Sequence, residues 1–434
     1  MGTTLVAGCG APSSSDATDT PTDTATPTGT PTATTSGEWT PPTGTPTRSV
    51  TANVLVENLE VPWDVSVAPD GDLFVTERVG RVNRFASGDL QEVFAPEDAI
   101  DAGSVDPGST DRPWWVQGGE GGTLGIAVHP SYPDPRELFV YYTTTEGEER
   151  TNRVSRFDLD ADDPGASEEV VIGGIPGFKV HNGGRITAGP DGALWVTTGS
   201  AAFDKNEASQ LAADPGSLAG KVLRITPDGE PHPDNPDIAD DADSRVFTYG
   251  HRNPQGIVWL PDGTVVSNEH GPTGYDEVNR LVAGDDYGWP NKETRTNPAQ
   301  YADAEGVHPP LATSGNSSWA PSGSLFYTGD AVPSWRNRML IGGLISQRLQ
   351  IVTLTPPGAE LPPVEWGTRI DDDWTDPAFT ATVHPVLEDE LGRIRHVEQG
   401  LDGELYAITS NRDGRASAPF PRERDDVLVT LQPE

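Results

Sequence analysis

Residues 246–290 read VFTYGHRNPQGIVWLPDGTVVSNEHGPTGYDEVNRLVAGDDYGWP, and the layout of this stretch decides the fold. Two short apolar segments flank the Pro-Asp-Gly turn at 261–263, and a third segment reads Glu-Val-Asn-Arg-Leu. Asp-Gly supplies the positive φ that a tight hairpin needs. Charged pairs stand beside Gly and Pro turns at 251–252 and at 276–277. The stretch therefore predicts one small antiparallel sheet with a candidate site at one end.

The same layout occurs six times after residue 51. Each copy has an apolar strand, a turn that is often Asp-Gly, a strand rich in β-branched and aromatic residues, and a third strand. The second strands are predicted at 73–76, 138–143, 194–198, 265–268, 339–343 and 405–409. Six sheets, each too small to bury itself, predict an all-β fold, a six-bladed β-propeller of four-stranded antiparallel blades. The layout favours closure of the ring by residues 51–56 with the sixth blade. The alternative is a β-sandwich with coincidental Asp-Gly turns.

Composition divides the 434 residues into three parts. Residues 51–434 contain the repeats, and their many Gly and Pro residues suit short strands joined by turns. Residues 10–50 are dominated by Thr, Pro, Ser and Gly, so they have too little apolar surface to fold and predict a disordered tether. Residues 1–9 predict a truncated lipoprotein signal.

Cys9 is the single cysteine, so no disulfide framework is possible. Its context, Leu-Val-Ala-Gly-Cys at 5–9, resembles a lipoprotein processing site, and the alternative is a free cysteine near a disordered terminus. No segment is long and apolar enough to span a bilayer. A lipid at Cys9 followed by a tether predicts a propeller that is anchored on the extracellular face of the membrane or secreted.

The formal net charge of −38 excludes nucleic acid and anionic lipid surfaces as expected partners. Lysine is nearly missing, and the four lysines are Lys179, Lys205, Lys221 and Lys292. The acidity indicates either a surface kept soluble in high salt or an acidic docking face. Because the excess is spread along the whole chain, the sequence favours a halophilic protein.

The innermost strands of a propeller line its central channel and run in the same direction, so the residues before them meet at one mouth. The unusual residues at these positions are Trp63, Glu120, His181, Arg252, Arg393 and Arg395. Several arginines that converge in so acidic a chain predict an anionic ligand. Convergent polar groups at such a mouth are also the default position for a functional site.

Several motifs carry a family resemblance. They are PWDVSVAPDGDLFVTERVGRV, GGEGGTLGIAVHP, HNGGRITAGPDGALWVTTGS, SLAGKVLRI, YGHRNPQG, EHGPTGYDEVN, YGWP, APSGSLFYTGD and GRIRHVEQGLDGELY. Together, over residues 55–431, they resemble the soluble glucose/aldose sugar dehydrogenases that depend on pyrroloquinoline quinone (PQQ). The resemblance implies a six-bladed propeller that uses PQQ and Ca²⁺ to oxidise the anomeric carbon of an aldose sugar substrate. The products would be lactones, and the electrons would pass to an external acceptor.

The resemblance also implies roles for the residues of the mouth. His181 matches the general base that takes the proton of the sugar C1 hydroxyl, a role that suits an imidazole. Arg252 resembles the residue beside the quinone oxygen, where it stabilises developing negative charge, and Asn253 is its neighbour. Arg393 and Arg395 resemble the partners of the cofactor's acid groups; solvated strand arginines are the alternative.

Metal and substrate contacts follow from the same resemblance. The carbonyl groups of Gly271 and Pro272 resemble the donors to the cofactor's Ca²⁺, which are hard ligands for a hard cation. Glu277 and the carbonyl of Tyr287 resemble a second, structural Ca²⁺ site. Glu120 lies where the family contacts cofactor or substrate, whereas His251 reads as structural.

Two positions depart from the family. Ser200 stands where better-known members carry an aspartate that orients the base, and Asp204 is a possible substitute. Ile345 stands where many members carry Lys or Arg, so one positive contact to the cofactor is missing. Two other functions therefore stay open, namely a noncatalytic propeller that binds a sugar or polyanion and a lactonase-type hydrolase. The arginines argue against the hydrolase.

Overall fold

The structure is a computed structural model that describes residues 39–107, 116–203, 207–290 and 304–434. These residues form six antiparallel sheets whose innermost strands contact one another in a closed ring. The prediction of a six-bladed β-propeller is therefore confirmed, and the β-sandwich alternative is wrong.

The first three blades each contain four consecutive strands, ordered from the channel outward. Blade 1 contains β2 (Pro62–Val67), β3 (Leu73–Glu77), β4 (Arg81–Ala86) and β5 (Asp89–Phe94). Blade 2 contains β6 (Thr123–Val128), β7 (Glu137–Glu146), β8 (Glu149–Asp158) and β9 (Glu169–Pro176). Blade 3 contains β10 (Gly183–Ala188), β11 (Leu194–Thr198), β12 (Val222–Ile225) and β13 (Val246–Thr248).

The other blades vary this plan. Blade 4 contains β14 (Pro254–Trp259), β15 (Val265–Glu269), β16 (Glu277–Arg280) and β17 (Ala312–Thr313). Blade 5 contains β18 (Pro321–Tyr327), β19 (Arg338–Gly343), β20 (Leu349–Thr355), β21 (Thr368–Ile370) and β22 (Thr380–Val386), with β21 at its outer edge. Short 3₁₀ helices span Gly165–Ser167, Glu207–Ala212, Pro333–Trp335 and Asn411–Asp413.

Blade 6 closes the ring with strands from both ends of the domain. It contains β23 (Ile394–Gln399), β24 (Leu405–Thr409), β25 (Leu428–Pro433) and, on the outside, β1 (Val50–Val56). β1 pairs with β25 in an antiparallel ladder that joins Val50 to Pro433. The predicted closure by residues 51–56 is confirmed.

The apolar core is divided among six clusters, one at each interface between neighbouring blades. Between blades 3 and 4, for example, Trp195 and Phe247 meet edge to face at 4.7 Å and pack in one cluster with Ile257. Because every blade packs against a neighbouring blade on both sides, the inner strands form a rigid frame for the loops at the mouth of the channel.

The chain before β1 also contacts the propeller. Trp39 packs edge to face on Phe326 at 5.4 Å, and the indole nitrogen of Trp335 donates to the carbonyl oxygen of Thr47 at 3.0 Å. Most of the predicted tether, and the predicted signal with Cys9, lie outside the described residues. Within the part of the chain that the structure describes, no helix has the length and hydropathy needed to cross a membrane.

Candidate active site

The loops that carry the site join the inner strands at one mouth of the channel. Several backbones that enter inner strands adopt left-handed conformations that side chains rarely take, at Val61, His181 and Ala320 (φ 53°, 56° and 44°). Non-glycine residues in this region cluster at functional sites, where the surrounding structure holds them. Gly199 is required beside them, because a Cβ there would stand 2.0 Å from the carbonyl oxygen of His181.

His181 is held in one tautomer by the main chain. Its Nδ1 lies 2.6 Å from the carbonyl oxygen of Ala202. A carbonyl only accepts, so Nδ1 carries the proton and the lone pair of the neutral ring is on Nε2. Burial, followed by the charge of Arg252, lowers the pKa of His181 to about 3, so the imidazole is neutral at pH 7.

Ser200 makes a weaker contact with the same ring nitrogen. Its Oγ lies 3.4 Å from Nδ1 of His181, longer than the bond to Ala202. Its main-chain N–H donates to the carbonyl oxygen of Arg252 at 2.8 Å. Among the described residues, the orienting role expected of residue 200 therefore falls mainly on the Ala202 carbonyl, which sequence reasoning missed. Asp204, the suggested substitute, lies outside the described residues.

Arg252 and Asn253 enter the mouth from blade 4, as predicted. The guanidinium of Arg252 donates to the carbonyl oxygen of His270 at 3.3 Å and lies 5.4 Å from the ring centre of Trp289. The Oδ1 of Asn253 accepts from the N–H of Gly183 at 3.0 Å. Its buried Nδ2 has no hydrogen-bond partner among the described residues.

Glu120 links the base to a cation. One carboxylate oxygen accepts from the main-chain N–H of His181 at 2.8 Å, and the other lies 2.7 Å from Arg415. Burial alone would raise the pKa of Glu120, but the charge of Arg415 holds it well below its usual range. The carboxylate therefore stays ionised and fixes both neighbours.

Blade 6 supplies a network of buried charges. Asp413 lies 2.7 Å from Arg393, 3.3 Å from Arg415 and 4.0 Å from Arg395. Burial opposes ionisation, yet these guanidiniums hold the pKa of Asp413 well below its usual range. The predicted arginines are brought together, whereas the sequence reasoning missed Asp413 and Arg415. Their signal was available, since residues after the second strand of each blade also lie at this mouth.

Two further arginines, Arg78 and Arg185, contact main-chain and aromatic groups at the mouth. Arg78 is buried and donates to the carbonyl oxygens of Gly119 and Gly121, which flank Glu120. Trp63, predicted at the mouth, is buried with the guanidinium of Arg185 4.3 Å and that of Arg395 5.9 Å from its ring centre. These contacts keep a flat aromatic surface among the cations.

The charge balance of the mouth calls for an anion. Four guanidiniums, those of Arg78, Arg393, Arg395 and Arg415, act on one another and on the carboxylates Asp413 and Glu120. The Nε of Arg395 is buried without a hydrogen-bond partner among the described residues, like the Nδ2 of Asn253. Unpaired buried donors beside excess positive charge fit a ligand with several carboxylates, as PQQ has.

The residues predicted to bind metal all lie in blade 4, after its second strand or at and after the start of its third. Gly271 donates from its N–H to Asp276 at 2.8 Å, and Glu277 stands opposite Glu269 in the β15–β16 ladder. The ring of Tyr287 stacks on His251 at 4.5 Å, which supports a structural role for that histidine. In the described ranges no group of three or more His, Cys, Asp or Glu side chains could hold a metal ion. Metal binding through carbonyl oxygens stays a prediction.

The departure at residue 345 faces solvent. The side chain of Ile345 is 63% exposed, while the carbonyl oxygen of its neighbour Leu344 accepts from Arg393 at 3.1 Å. The main chain here supports the arginine network even though the side chain adds no charge. Arg348 pairs with Glu388 at 3.2 Å, so it does not replace the missing cation.

A cleft opens beside the base loop, between blades 2 and 3. It has a volume of about 680 Å³ and is lined by Arg150, Phe178, Lys179, Ser200 and Leu211, among others. Phe178 meets Phe203 edge to face at 5.2 Å. Aromatic and polar side chains around a cleft of this size suit a small polar organic ligand.

Comparison with known proteins places this architecture among sugar-oxidising enzymes. Residues 59–418 match the family model described as glucose/sorbosone dehydrogenase. The chain is 27% identical over 388 residues to an aldose sugar dehydrogenase of Escherichia coli, covering 86% of this chain and 94% of that protein. It is 30% identical over 274 residues to quinoprotein glucose dehydrogenase B of Acinetobacter calcoaceticus, covering 57% and 54%.

A solved structure gives the same relationship in three dimensions. The PQQ-bound form of an aldose sugar dehydrogenase from Streptomyces coelicolor superposes with a TM-score of 0.68 and 30% identity. The match covers 90% of this chain and all of that chain.

Proposed function

The chain belongs to the glucose/sorbosone dehydrogenase family, and from that premise we propose that it oxidises aldose sugars to lactones at the anomeric carbon. PQQ would be its cofactor, Ca²⁺ its metal ion, and an external acceptor would take the electrons. One observation carries the proposal. A neutral histidine with a fixed tautomer lies in the same mouth as an excess of guanidiniums and unpaired buried donors.

His181 acts as the general base. Because Nδ1–H donates to Ala202, the Nε2 lone pair is the one that takes the proton of the C1 hydroxyl. The pKa of about 3 makes it a weak base in the protein alone. Negative charge brought into the mouth raises that pKa, since it offsets the repulsion between an imidazolium and Arg252.

The arginine network binds the cofactor. Arg393 and Arg395 would hold its carboxylates, and the Nε of Arg395 and the Nδ2 of Asn253 would gain the partners they lack among the described residues. When bound, PQQ supplies the two-electron acceptor for hydride. Arg252 would stabilise negative charge on that acceptor. Glu120 keeps His181 in place and contacts cofactor or substrate.

Carbonyl oxygens would hold the metal ions. Gly271 and Pro272 would donate to the cofactor's Ca²⁺, and Glu277 with the carbonyl of Tyr287 would hold a second ion. The turn at 271–276 is already fixed by the bond between the N–H of Gly271 and Asp276. Asp276 itself accepts from Ser318, Trp319 and Ala320 as well, so it organises the turn.

Reconstitution tests the proposal. The purified protein is loaded with PQQ and Ca²⁺ in high salt, and dye reduction is followed with a panel of aldoses. We expect a PQQ absorbance change on binding, sugar-dependent dye reduction, and loss of both on chelation of Ca²⁺. Failure to bind PQQ overturns the proposal. Binding without turnover favours a noncatalytic sugar-binding or polyanion-binding propeller, and lactone hydrolysis without PQQ favours a hydrolase.

The location and salt adaptation are proposals of their own. We propose that Cys9 carries a lipid that holds the domain on the extracellular face of the cell membrane, and that the charge of −38 suits it to high salt. Mass spectrometry of the membrane fraction would detect the lipid. Recovery of the Cys9→Ser chain in the same fraction would contradict the anchor.

A further inference from the structure

Lys221 is the one completely buried lysine among the described residues of a chain that has only four lysines. It precedes β12 in blade 3. Its Nζ donates to three main-chain carbonyl oxygens, those of Leu211 at 3.0 Å, Ala212 at 2.9 Å and Ala219 at 2.5 Å. An ammonium has three protons, so each proton has a carbonyl acceptor.

This charge is buried without an ion pair. No described carboxylate lies within salt-bridge distance of Nζ, and the charged groups that face it from the packed loops, Asp214 and Asp286, act only through space. Burial lowers the pKa of Lys221 to about 7. A buried charge with no counter-ion opposes folding. Its presence here therefore indicates that Lys221 has a specific role.

The carbonyls that Lys221 binds connect both sides of the candidate site. The Ala212 carbonyl also accepts from the N–H of Gly250 at 2.8 Å, two residues before Arg252. Gly220, next to Lys221, donates to the carbonyl oxygen of Gly199 at 2.8 Å, three residues before Ala202.

The two loops are joined again above the lysine. The carbonyl of Gly220 accepts from the N–H of His251 at 3.1 Å, and the N–H of Ser200 donates to the carbonyl of Arg252 at 2.8 Å. The loop that sets the tautomer of His181 and the loop that carries Arg252 therefore share one anchor point, which is the segment at 219–221.

We propose that Lys221 is a positioning residue that holds the Ala202 carbonyl against His181 and Arg252 beside it, through the three carbonyl oxygens that its ammonium binds. The inference rests on the proposed function for its effect on turnover. Its effect on the His181 ring is independent of that function and can be measured in the protein alone.

The same geometry makes the anchor depend on pH. Loss of one proton leaves two N–H groups for three carbonyls, so one of the carbonyls loses its bond to Nζ as pH rises through about 7. The folded pKa lies below the ordinary value of 10.5, so the unfolded chain binds more protons between these values. Lys221 thus adds stability as pH rises in this window. A loss of turnover there would come from repositioning rather than from unfolding.

The test replaces the ammonium and reads the ring of His181. We expect Lys221→Met to lower kcat about 10²-fold with KM changed less than about 3-fold, because small displacements in a catalytic array have effects of this order. Imidazole ¹⁵N NMR of the protein without cofactor should show the single Nδ1–H tautomer in the parent chain and a mixture in Lys221→Met. The alkaline limb of the kcat profile near pH 7 should disappear in the variant.

Arg338→Met is the matched control. Arg338 is also buried, and it donates to the carbonyl oxygens of Ser334 and Gly44 and to Thr353, at the end of blade 5 opposite the mouth. Its loss should lower stability while the His181 tautomer and kcat stay as in the parent chain. If both variants change the tautomer equally, the effect is general loosening and the proposal is overturned.

A third measurement, made on the parent chain, tests the proposal even if Lys221→Met fails to fold. Lysines labelled with ¹³C at Cε are titrated in the parent chain, where one of four resonances should titrate near pH 7, and the His181 nitrogens are followed through the same range. A tautomer that stays fixed while Lys221 titrates overturns the proposal. A parent chain that shows the expected NMR coupling but no sugar oxidation would instead contradict only the proposed function.

Discussion

The two sides of the channel mouth are built from different interactions. On the blade 3 side, a neutral carbonyl, that of Ala202, holds the ring of His181, and the charged Glu120 contacts only the main-chain N–H of His181. On the blade 6 side, full charges position one another around Asp413, which is completely buried between Arg393 and Arg415. The tautomer of the base is thus set by a dipole, whereas the anion-binding surface is held together by ions.

This difference follows from what each side must do. A base needs one tautomer, and a carbonyl acceptor provides it without adding charge. A surface that binds a carboxylate-rich ligand needs excess positive charge, which repels itself when the ligand is absent. Asp413 and Glu120 offset part of that repulsion. Substitutions on the base side should therefore lower kcat, whereas substitutions on the anion side should lower the stability of the fold.

His181→Ala should have the largest effect and should act on rate alone. General base catalysis contributes about 10²- to 10⁴-fold, so we expect kcat to fall about 10³-fold. Binding of PQQ, followed by its absorbance, should stay within about threefold of the parent chain, because the arginines are untouched.

His384→Ala provides the control for this substitution. His384 is buried in blade 5, where its ring bonds to the carbonyl of Pro363 at 3.0 Å, far from the mouth in the fold. This variant should keep the parent kcat. If kcat falls equally in both variants, His181 is not the general base.

Asp413→Asn should disrupt the charge network on the blade 6 side and lower the free energy of unfolding. Removal of one partner from a buried ionic network costs about 3–5 kcal/mol, since the guanidiniums are left without their shared counter-charge. We expect this loss in denaturant unfolding of the cofactor-free protein. Added PQQ should then stabilise the variant more than the parent chain, because its carboxylates replace the missing charge.

Asp376→Asn is the matched control for a buried carboxylate. Asp376 pairs with Arg280 at 2.7 Å and with His308 at 3.0 Å in an outer region of the propeller. Asp376→Asn should be less stable than the parent chain, while PQQ should stabilise it by the same amount as it stabilises the parent chain. If PQQ stabilises Asp413→Asn no more than this control, the network does not serve an anion.

The repeats let the sequence predict the fold and one class of site residue. Asp-Gly turns and strand triples located the blades because both signals are local. His181, Arg252 and Arg395 were found because each lies just before or at the start of an inner strand, where position in the repeat implies position at the mouth.

Other site residues had no local signal. The orienting group for His181 is the carbonyl of Ala202, and every residue has a carbonyl, so no side chain marks it. Asp413 and Arg415 lie after the second strand of blade 6, and they become visible only when both connections that face the mouth are considered. The buried Lys221 reads as an ordinary strand residue until its three acceptors are known.

Ser200→Asp gives the smallest expected effect and tests whether dipoles on the base side can be replaced by a charge. The new carboxylate would stand near Nδ1 of His181, where the serine Oγ is now 3.4 Å away. It would raise the pKa of His181 from about 3, because it stabilises the imidazolium. The acidic limb of the kcat profile should therefore move to higher pH, and kcat at pH 7 should rise about three- to tenfold with the stronger base.

The stability of Ser200→Asp should change in the opposite direction from its rate. Residue 200 is almost fully buried, and at pH 7 its carboxylate would face a neutral ring, so the cofactor-free protein should lose stability. The ring charges and pairs with it only as pH falls through the raised folded pKa of His181, so part of the loss relative to the parent chain should be recovered in that acidic range. Ser200→Asn, which adds similar volume without charge, should show neither the shifted limb nor the recovery. An unmoved limb in Ser200→Asp would mean that residue 200 does not influence the basicity of His181.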